Sequence, residues 1–318
     1  MIFHIKNLAQ NKITKQIIKT IILIGIIIYL YLEIDFANLF NSLSFTSNFF
    51  YYILAILLCR SIIAYLLLIR WQLLLNLFSD INFSKNELSG PVFYSILANE
   101  IFVFGFLSRS VVMLLKNIKF DKIISSLMIE KFLSFYSILI FSSISLIPFY
   151  QNSYVFAFIQ PLYFYVLFIF LILIIILPPL CIRSLKSSWL FNFIFNLPII
   201  KIFKNYLDIN LLLLPLLISF FIQIINLICL IIIPILLGIE LILFDYILFL
   251  PIVVLISAIP VSISEWGYRE FIFVILLPSI GLTSEESFSI SVVTGLLYLL
   301  SSIMVVIFYE LYKKFKYS

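Results

Sequence analysis

The chain has 318 residues, of which 64% are hydrophobic and only 11% charged, with a formal net charge of +5. A typical soluble domain carries about 25% charged residues, so this composition cannot cover a water-soluble core and excludes a sizeable soluble catalytic domain. The basic residues fall between apolar segments, as the positive-inside rule distributes them, and not in a patch suited to nucleic acid.

Neither metal nor cofactor chemistry is indicated. Cys59, Cys181 and Cys229 lie in apolar surroundings without metal-ligand spacing and read as packed small hydrophobes. The one histidine, His4, sits in the N-terminal tail, so neither a histidine triad nor a multi-histidine metal site is expected. The predicted architecture is all-α: a polytopic transmembrane helical bundle of about six full spans plus two broken or re-entrant helical hairpins. Residues 1–318 form a single membrane domain in this reading. Basic tails at 1–16 and 310–318 lie on the cytoplasmic side of the cell membrane, and the bundle occupies 17–309.

The N-terminal tail carries Lys6, Lys12, Lys15 and Lys19. Ile17–Leu32 is longer than the 7–15 apolar residues of a signal peptide and runs into Glu33-Ile34-Asp35 without a cleavage pattern, so it reads as a retained span. Phe49–Ile69 returns inward and ends at Arg70-Trp71, an interfacial anchor pair. Arg60 lies within this span and either faces a cavity or snorkels.

Residues 70–90, with Lys85, read as an inner loop. Pro91–Leu107 is apolar but short and holds Asn99 and Glu100 near its middle. Gly105, Ser108-Arg109-Ser110 and Val111–Leu115 follow, before Lys116, Lys119, Lys122 and Lys131. Basic segments on both sides predict a re-entrant hairpin, allowed at depth only where protein or a wet cavity covers the backbone. Glu130-Lys131 reads as cap and anchor opening the span Phe132–Pro148. Val155–Leu180 spans inward to Pro178-Pro179, and 181–210 carries Arg183, Lys186, Lys201 and Lys204 on the inner side. Leu211–Leu237 spans outward to a loop with Glu240 and Asp245. Tyr246–Ile259 runs in to Pro260, Trp266–Leu277 runs out, and Phe288–Tyr309 ends at Lys313, Lys314 and Lys316. Two broken segments point to a transporter-like site near the midplane.

The chain is organised around Ser257–Glu270, S-A-I-P-V-S-I-S-E-W-G-Y-R-E. Ionisable residues in so apolar a region are expensive, and function is the usual reason to keep them. Glu265 and Arg269 are four apart and predicted to share a helix face, with Glu270 pointing elsewhere. A half-helix starting near Trp266 would aim N–H groups and a positive dipole end at midplane, suiting an anion such as a lipid phosphate. The alternative is a charge-paired pin that locks the hairpin. Arg109, at the tip or exit of the other hairpin, either shares phosphate binding or is an interfacial arginine. Glu100 needs a partner or a proton, and Arg109 and Arg60 are the candidates.

Pro260, Ser262, Gly267, Arg269 and Glu270 in this stretch, followed by Gly281-Leu282-Thr283-Ser284-Glu285-Glu286-Ser287 and another apolar helix, carry a family resemblance. The pattern resembles the transmembrane region of lysylphosphatidylglycerol synthase, also called the flippase-like group. Ile129-Glu130-Lys131-Phe132 is similar to a step that opens a later span in that family. Two departures stand out: Glu265 replaces a common glycine, and the turn Phe104–Arg109 lacks the family's acid.

The resemblance implies movement of lipids between leaflets. The chain ends at Ser318 without the soluble aminoacyl-transferase domain of bifunctional relatives, so aminoacyl transfer is not expected. Anionic or lipid-linked membrane lipids are the expected partners, with Arg269, Glu270, Glu265, Arg109 and Glu100 at the head group. Pro260, Ser262, Trp266, Gly267 and Glu130 are the supporting motif. Competing readings are an accessory subunit docking a glycosyltransferase, and a lipid-acting enzyme using Glu265 or Glu270 as acid or base. A homo-oligomer fits either class.

Overall fold

A computed structural model describes residues 25, 28–34, 46–79, 82–102, 105–114, 120–152, 209–258 and 266–317. Every regular element among them is helical. The α-helices among them are α1 (Phe49–Phe78), α2 (Lys85–Ile101), α3 (Ser108–Leu114), α4 (Phe120–Asn152), α5 (Ile209–Leu236), α6 (Leu243–Ser257), α7 (Tyr268–Leu276) and α8 (Ser284–Tyr317), with 3-10 turns at Gly105–Leu107 and Leu277–Ile280. The expected spans Val155–Leu180 and most of Ile17–Leu32 lie outside the described residues, as do Pro260, Ser262 and Glu265.

Four of these helices, α1, α4, α5 and α8, are long and apolar enough to cross a membrane. A bilayer core about 30 Å thick needs roughly 20 helical residues. The 17 residues of α2, 15 of α6 and 9 of α7 fall short of that. The two regions expected to be broken are thus built from short helices. Phe50, Tyr51, Leu54, Leu58, Ile62 and Tyr65 recur at helical spacing along α1 and are all exposed. A large apolar stripe left uncovered by the chain is the signature of a helix whose solvent is lipid.

Several boundaries differ from the sequence reading: α2 begins at Lys85, inside the expected inner loop, α8 runs Ser284–Tyr317 and not Phe288–Tyr309, and two further shifts move charged residues. The helix expected to end at Ile69 continues to Phe78, because Leu73, Leu74, Leu75 and Phe78 extend its apolar face; Leu74, Leu75 and Phe78 are buried. Arg70 and Trp71 are therefore 2% and 0% exposed inside the protein and do not form an interfacial anchor. The span expected from Phe132 begins twelve residues earlier, at Phe120, so Glu130 is a mid-helix residue and not a cap. Ser125 and Ser126 bond carbonyls of their own helix, which lets a serine-rich first half stay helical at depth.

The two largest apolar cores among the described residues hold the bundle. One, from Ile56, Cys229, Ile233, Tyr246, Leu250, Phe273 and Ile290, joins α5, α6, α7 and α8 to the start of α1. The other, from Leu68, Trp71, Leu88, Val92, Met113, Ile123 and Leu127, joins the rest of α1 to α2, α3 and α4. Prolines inside membrane helices orphan carbonyls that a neighbour must satisfy. Pro234 leaves the Leu230 carbonyl without its usual donor, and the buried Tyr246 hydroxyl donates to it at 3.2 Å.

Candidate functional site

Between the two cores lies a polar cavity of about 230 Å³. Arg60, Ile63, Leu67 and Arg70 of α1 line it at spacings of three and four, one helix face. They span about 15 Å along the axis. Opposite them stand Ile96, Asn99 and Glu100 of α2, Arg109 of α3, Glu130, Lys131 and Ser134 of α4, Ile222, Gln223 and Asn226 of α5, and Tyr298 of α8.

The α2–α3 turn is what delivers Arg109. Asn99 accepts the Phe106 backbone N–H at 2.9 Å. Gly105 lies against α2, where a Cβ would fall on the Ala98 and Asn99 backbone, so only glycine fits. The chain then re-enters helix with Arg109 3% exposed. Its Nε donates to Ser95 at 2.6 Å and its Nη1 to Glu130 Oε2 at 2.6 Å.

Glu130 is the centre of a triad. Its second oxygen accepts from Arg70 Nη2 at 2.8 Å, and Arg70 Nη1 reaches Ser134 and Ser219, each at 2.8 Å. All three ionic side chains are 2–4% exposed. Two guanidiniums share one carboxylate, so the triad carries an excess positive charge. Arg70 Nε is buried without a hydrogen-bond partner.

Glu100 has Arg60 as its partner, at 2.7 Å. Arg60 resolves in favour of the cavity: it pairs with Glu100, lies 3.9 Å over the Tyr298 ring and donates weakly to Ser301. The Glu100 backbone carbonyl is at the end of α2, where no helical donor remains. Trp266 Nε1 donates to it at 3.1 Å, tying the Ser257–Glu270 stretch to the cavity wall.

Arg269 and Glu270 differ from the expected arrangement. Glu270 does not point away: its Oε1 accepts from Arg269 Nη2 at 2.7 Å and from Ser291 at 3.3 Å. Its Oε2 accepts the Gly267 backbone N–H. Gly267 precedes α7 at φ 89° and Glu270 is the third residue of the helix, so its carboxylate occupies the helix start where an external anion was expected. Arg269 also lies 5.2 Å over Trp266, and both pack against Gly295 of α8, where a Cβ would stand 2.9 Å from the indole. Arg269 and Glu270 are not among the residues lining the cavity.

Sequence reasoning passed over Arg70 as a cavity residue, along with Gln223, Asn226 and Tyr298. The signals were present. Gln223 and Asn226 stand three apart in a mostly apolar α5, and Arg70 follows Arg60 on the same face of α1. Among the described residues, no group of three or more His, Cys, Asp or Glu gathers that could hold a metal.

No curated protein matches the chain. The family model for the lysylphosphatidylglycerol synthase TM region matches residues 16–305, and with that coverage the chain belongs to this family of membrane domains.

Proposed function

We propose that the protein binds the head group of an anionic lipid, or of a lipid-linked glycan, in the α1–α5 cavity and moves it between leaflets of the cell membrane while the acyl chains stay in the bilayer. The observation that carries this reading is the charge of the cavity wall. Among the described residues that line it, Arg60, Arg70, Arg109 and Lys131 stand beside Glu100 and Glu130. An excess of cations in a low-dielectric setting is costly unless an anion joins it. At about 230 Å³ the cavity is smaller than the roughly 300–1,000 Å³ that encloses a drug-sized ligand, so it suits a head group and not a whole lipid. In this reading Arg109 and Arg60 contact the head group. Arg269, Glu270 and Trp266 hold the cavity wall through Glu100, and both termini face the cytoplasm.

The test is lipid movement in phosphatidylcholine vesicles doped with fluorescent phosphatidylglycerol and reconstituted with the full chain. Faster exchange between leaflets than in protein-free vesicles is expected. The double variant Arg60→Gln/Glu100→Gln removes a partly buried pair together, which is often neutral for stability. It should slow movement about tenfold, some 1.4 kcal/mol, while the purified protein stays monodisperse. Wild-type protein that does not accelerate exchange defeats the proposal.

A further inference from the structure

We infer, resting on the reading above, that Gln223 and Asn226 of α5 form a hydroxyl-reading subsite, and that the cavity takes an anionic lipid whose head group carries free hydroxyls, a polyol or a sugar, over one of equal charge that carries none. Ser219, Gln223 and Asn226 are spaced four and three apart, on one face of a helix rich in leucine and isoleucine. Each bonds another helix, the usual work of such residues inside a membrane. Ser219 accepts from Arg70 of α1, Gln223 donates to the Ser134 carbonyl of α4, and Asn226 accepts from Tyr298 of α8. Gln223 and Asn226 also line the cavity. Joining helices uses only part of what an amide offers, since its oxygen accepts and its nitrogen donates.

The partners decide which end each amide presents. Gln223 Nε2 donates at 3.3 Å to a backbone carbonyl, which can only accept, so Oε1 is the end left for a ligand. Asn226 Oδ1 accepts from the Tyr298 hydroxyl at 2.8 Å, which leaves Nδ2 as a donor. Across the cavity, Asn99 Oδ1 is held by the Phe106 backbone N–H, so Asn99 likewise offers Nδ2. The buried Arg70 Nε is a further donor, without a partner among the described residues. A phosphate oxygen suits these donors but sets lone pair against lone pair at Gln223 Oε1. An ammonium suits Gln223 but has nothing to accept with at Asn226. A hydroxyl does both: its O–H donates to Gln223 Oε1 while its oxygen accepts from Asn226 Nδ2. Helical residues three apart stand about 5–6 Å apart at Cβ, within reach of one hydroxyl or two neighbouring ones. Tyr298, which holds Asn226, also carries Arg60 at 3.9 Å over its ring, so the subsite adjoins a cation suited to the phosphate.

Affinity of the full chain, in phosphatidylcholine nanodiscs, is measured for three lipids of the same net charge. Phosphatidylglycerol carries hydroxyls, phosphatidylpropanol carries none, and phosphatidylserine carries an ammonium and a carboxylate. Phosphatidylglycerol should bind about tenfold tighter than either, the scale of one or two hydrogen bonds. The double variant Gln223→Met/Asn226→Leu removes both amides at nearly constant volume. It should lower phosphatidylglycerol affinity to that of phosphatidylpropanol and leave phosphatidylpropanol affinity unchanged, a selective loss that a general loosening of the fold does not produce. Equal wild-type affinity for phosphatidylglycerol and phosphatidylpropanol overturns the inference whether or not the variant folds, and leaves anionic-lipid binding standing. Phosphatidylserine binding as tightly as phosphatidylglycerol, or a preference that the folded double variant retains, overturns it too. Soluble glycerol phosphate forms a separate arm: weak competition assigns the subsite to a lipid-borne head group, and competition equal to that of phosphatidylglycerol overturns that assignment in favour of a soluble polyol phosphate. Failure of every anionic lipid to bind overturns both readings.

Discussion

Two of the arginine–glutamate clusters among the described residues are built on opposite plans. Arg269–Glu270 joins neighbours in sequence, backed by Gly267, Trp266 and Ser291 within two packed helices. Arg70–Glu130–Arg109 gathers side chains from three helices and is more deeply buried. The local cluster satisfies its charges internally: one carboxylate, one guanidinium and a helix start. The distributed cluster has more cation than anion and fronts a cavity. Motif density therefore marks where the chain is fixed, and in the proposed reading the cluster richer in cations is where the head group enters. Trp266 is the link, since its indole bonds the carbonyl of Glu100 on the cavity wall.

The comparison is broken most severely at Glu130. Glu130→Gln leaves two buried guanidiniums facing each other with no counterion, a change of the kind that costs about 3–5 kcal/mol. The expected result is a large drop in thermal stability in detergent, or no folded protein at all. A variant as stable as wild type would mean that water or lipid already screens the triad. Glu100→Gln should cost less, about 2 kcal/mol. Arg60 is 12% exposed and keeps the Tyr298 face and the Ser301 contact after its carboxylate is gone. If Glu100→Gln proved the more damaging of the two, the order of burial would not be the order of energy, and the Trp266 link would become the stronger candidate for what stabilises the wall.

The sequence made the membrane class legible, because 64% hydrophobic residues leave no other solvent for the surface. The short helices were legible too: Glu100 with Gly105 on one side, and Pro260 to Gly267 on the other, interrupt runs too brief to span. The candidate site was legible only in part. Arg109, Glu100 and Glu130 stood out because charge in an apolar run is rare, yet their partners could not be assigned from spacing. Arg70 and Glu130 are 60 positions apart and meet only when α1 packs on α4. Arg70 was misplaced for a physical reason: arginine beside tryptophan after an apolar run reads the same at an interface as inside a bundle. Only five further apolar residues out of seven, up to Phe78, separate the two. The Arg269–Glu270 contact was missed because adjacent helical residues diverge by 100°, and it forms only because Glu270 turns back to the Gly267 N–H at the first turn of α7.

The smallest expected effect tests the local cluster alone. Gly267 adopts φ 89°, a region that costs a residue with a Cβ about 1–2 kcal/mol, and open space surrounds the position where that Cβ would sit. Gly267→Ala should thus destabilise by about 1 kcal/mol through backbone strain and not through collision. Its consequence for function depends on which plan is right. If α7 serves to anchor the wall, strain at its start loosens the Arg269–Glu270 pair and the Trp266 bond to Glu100, and lipid movement slows in step with the lost stability. If the stretch itself receives the head group, a 1 kcal/mol change in the fold should be accompanied by a much larger loss of movement, since the Gly267 N–H would then be a direct donor. Measuring thermal stability and vesicle exchange on the same preparation separates the two, because a wall anchor predicts proportionate losses and a binding turn predicts disproportionate ones.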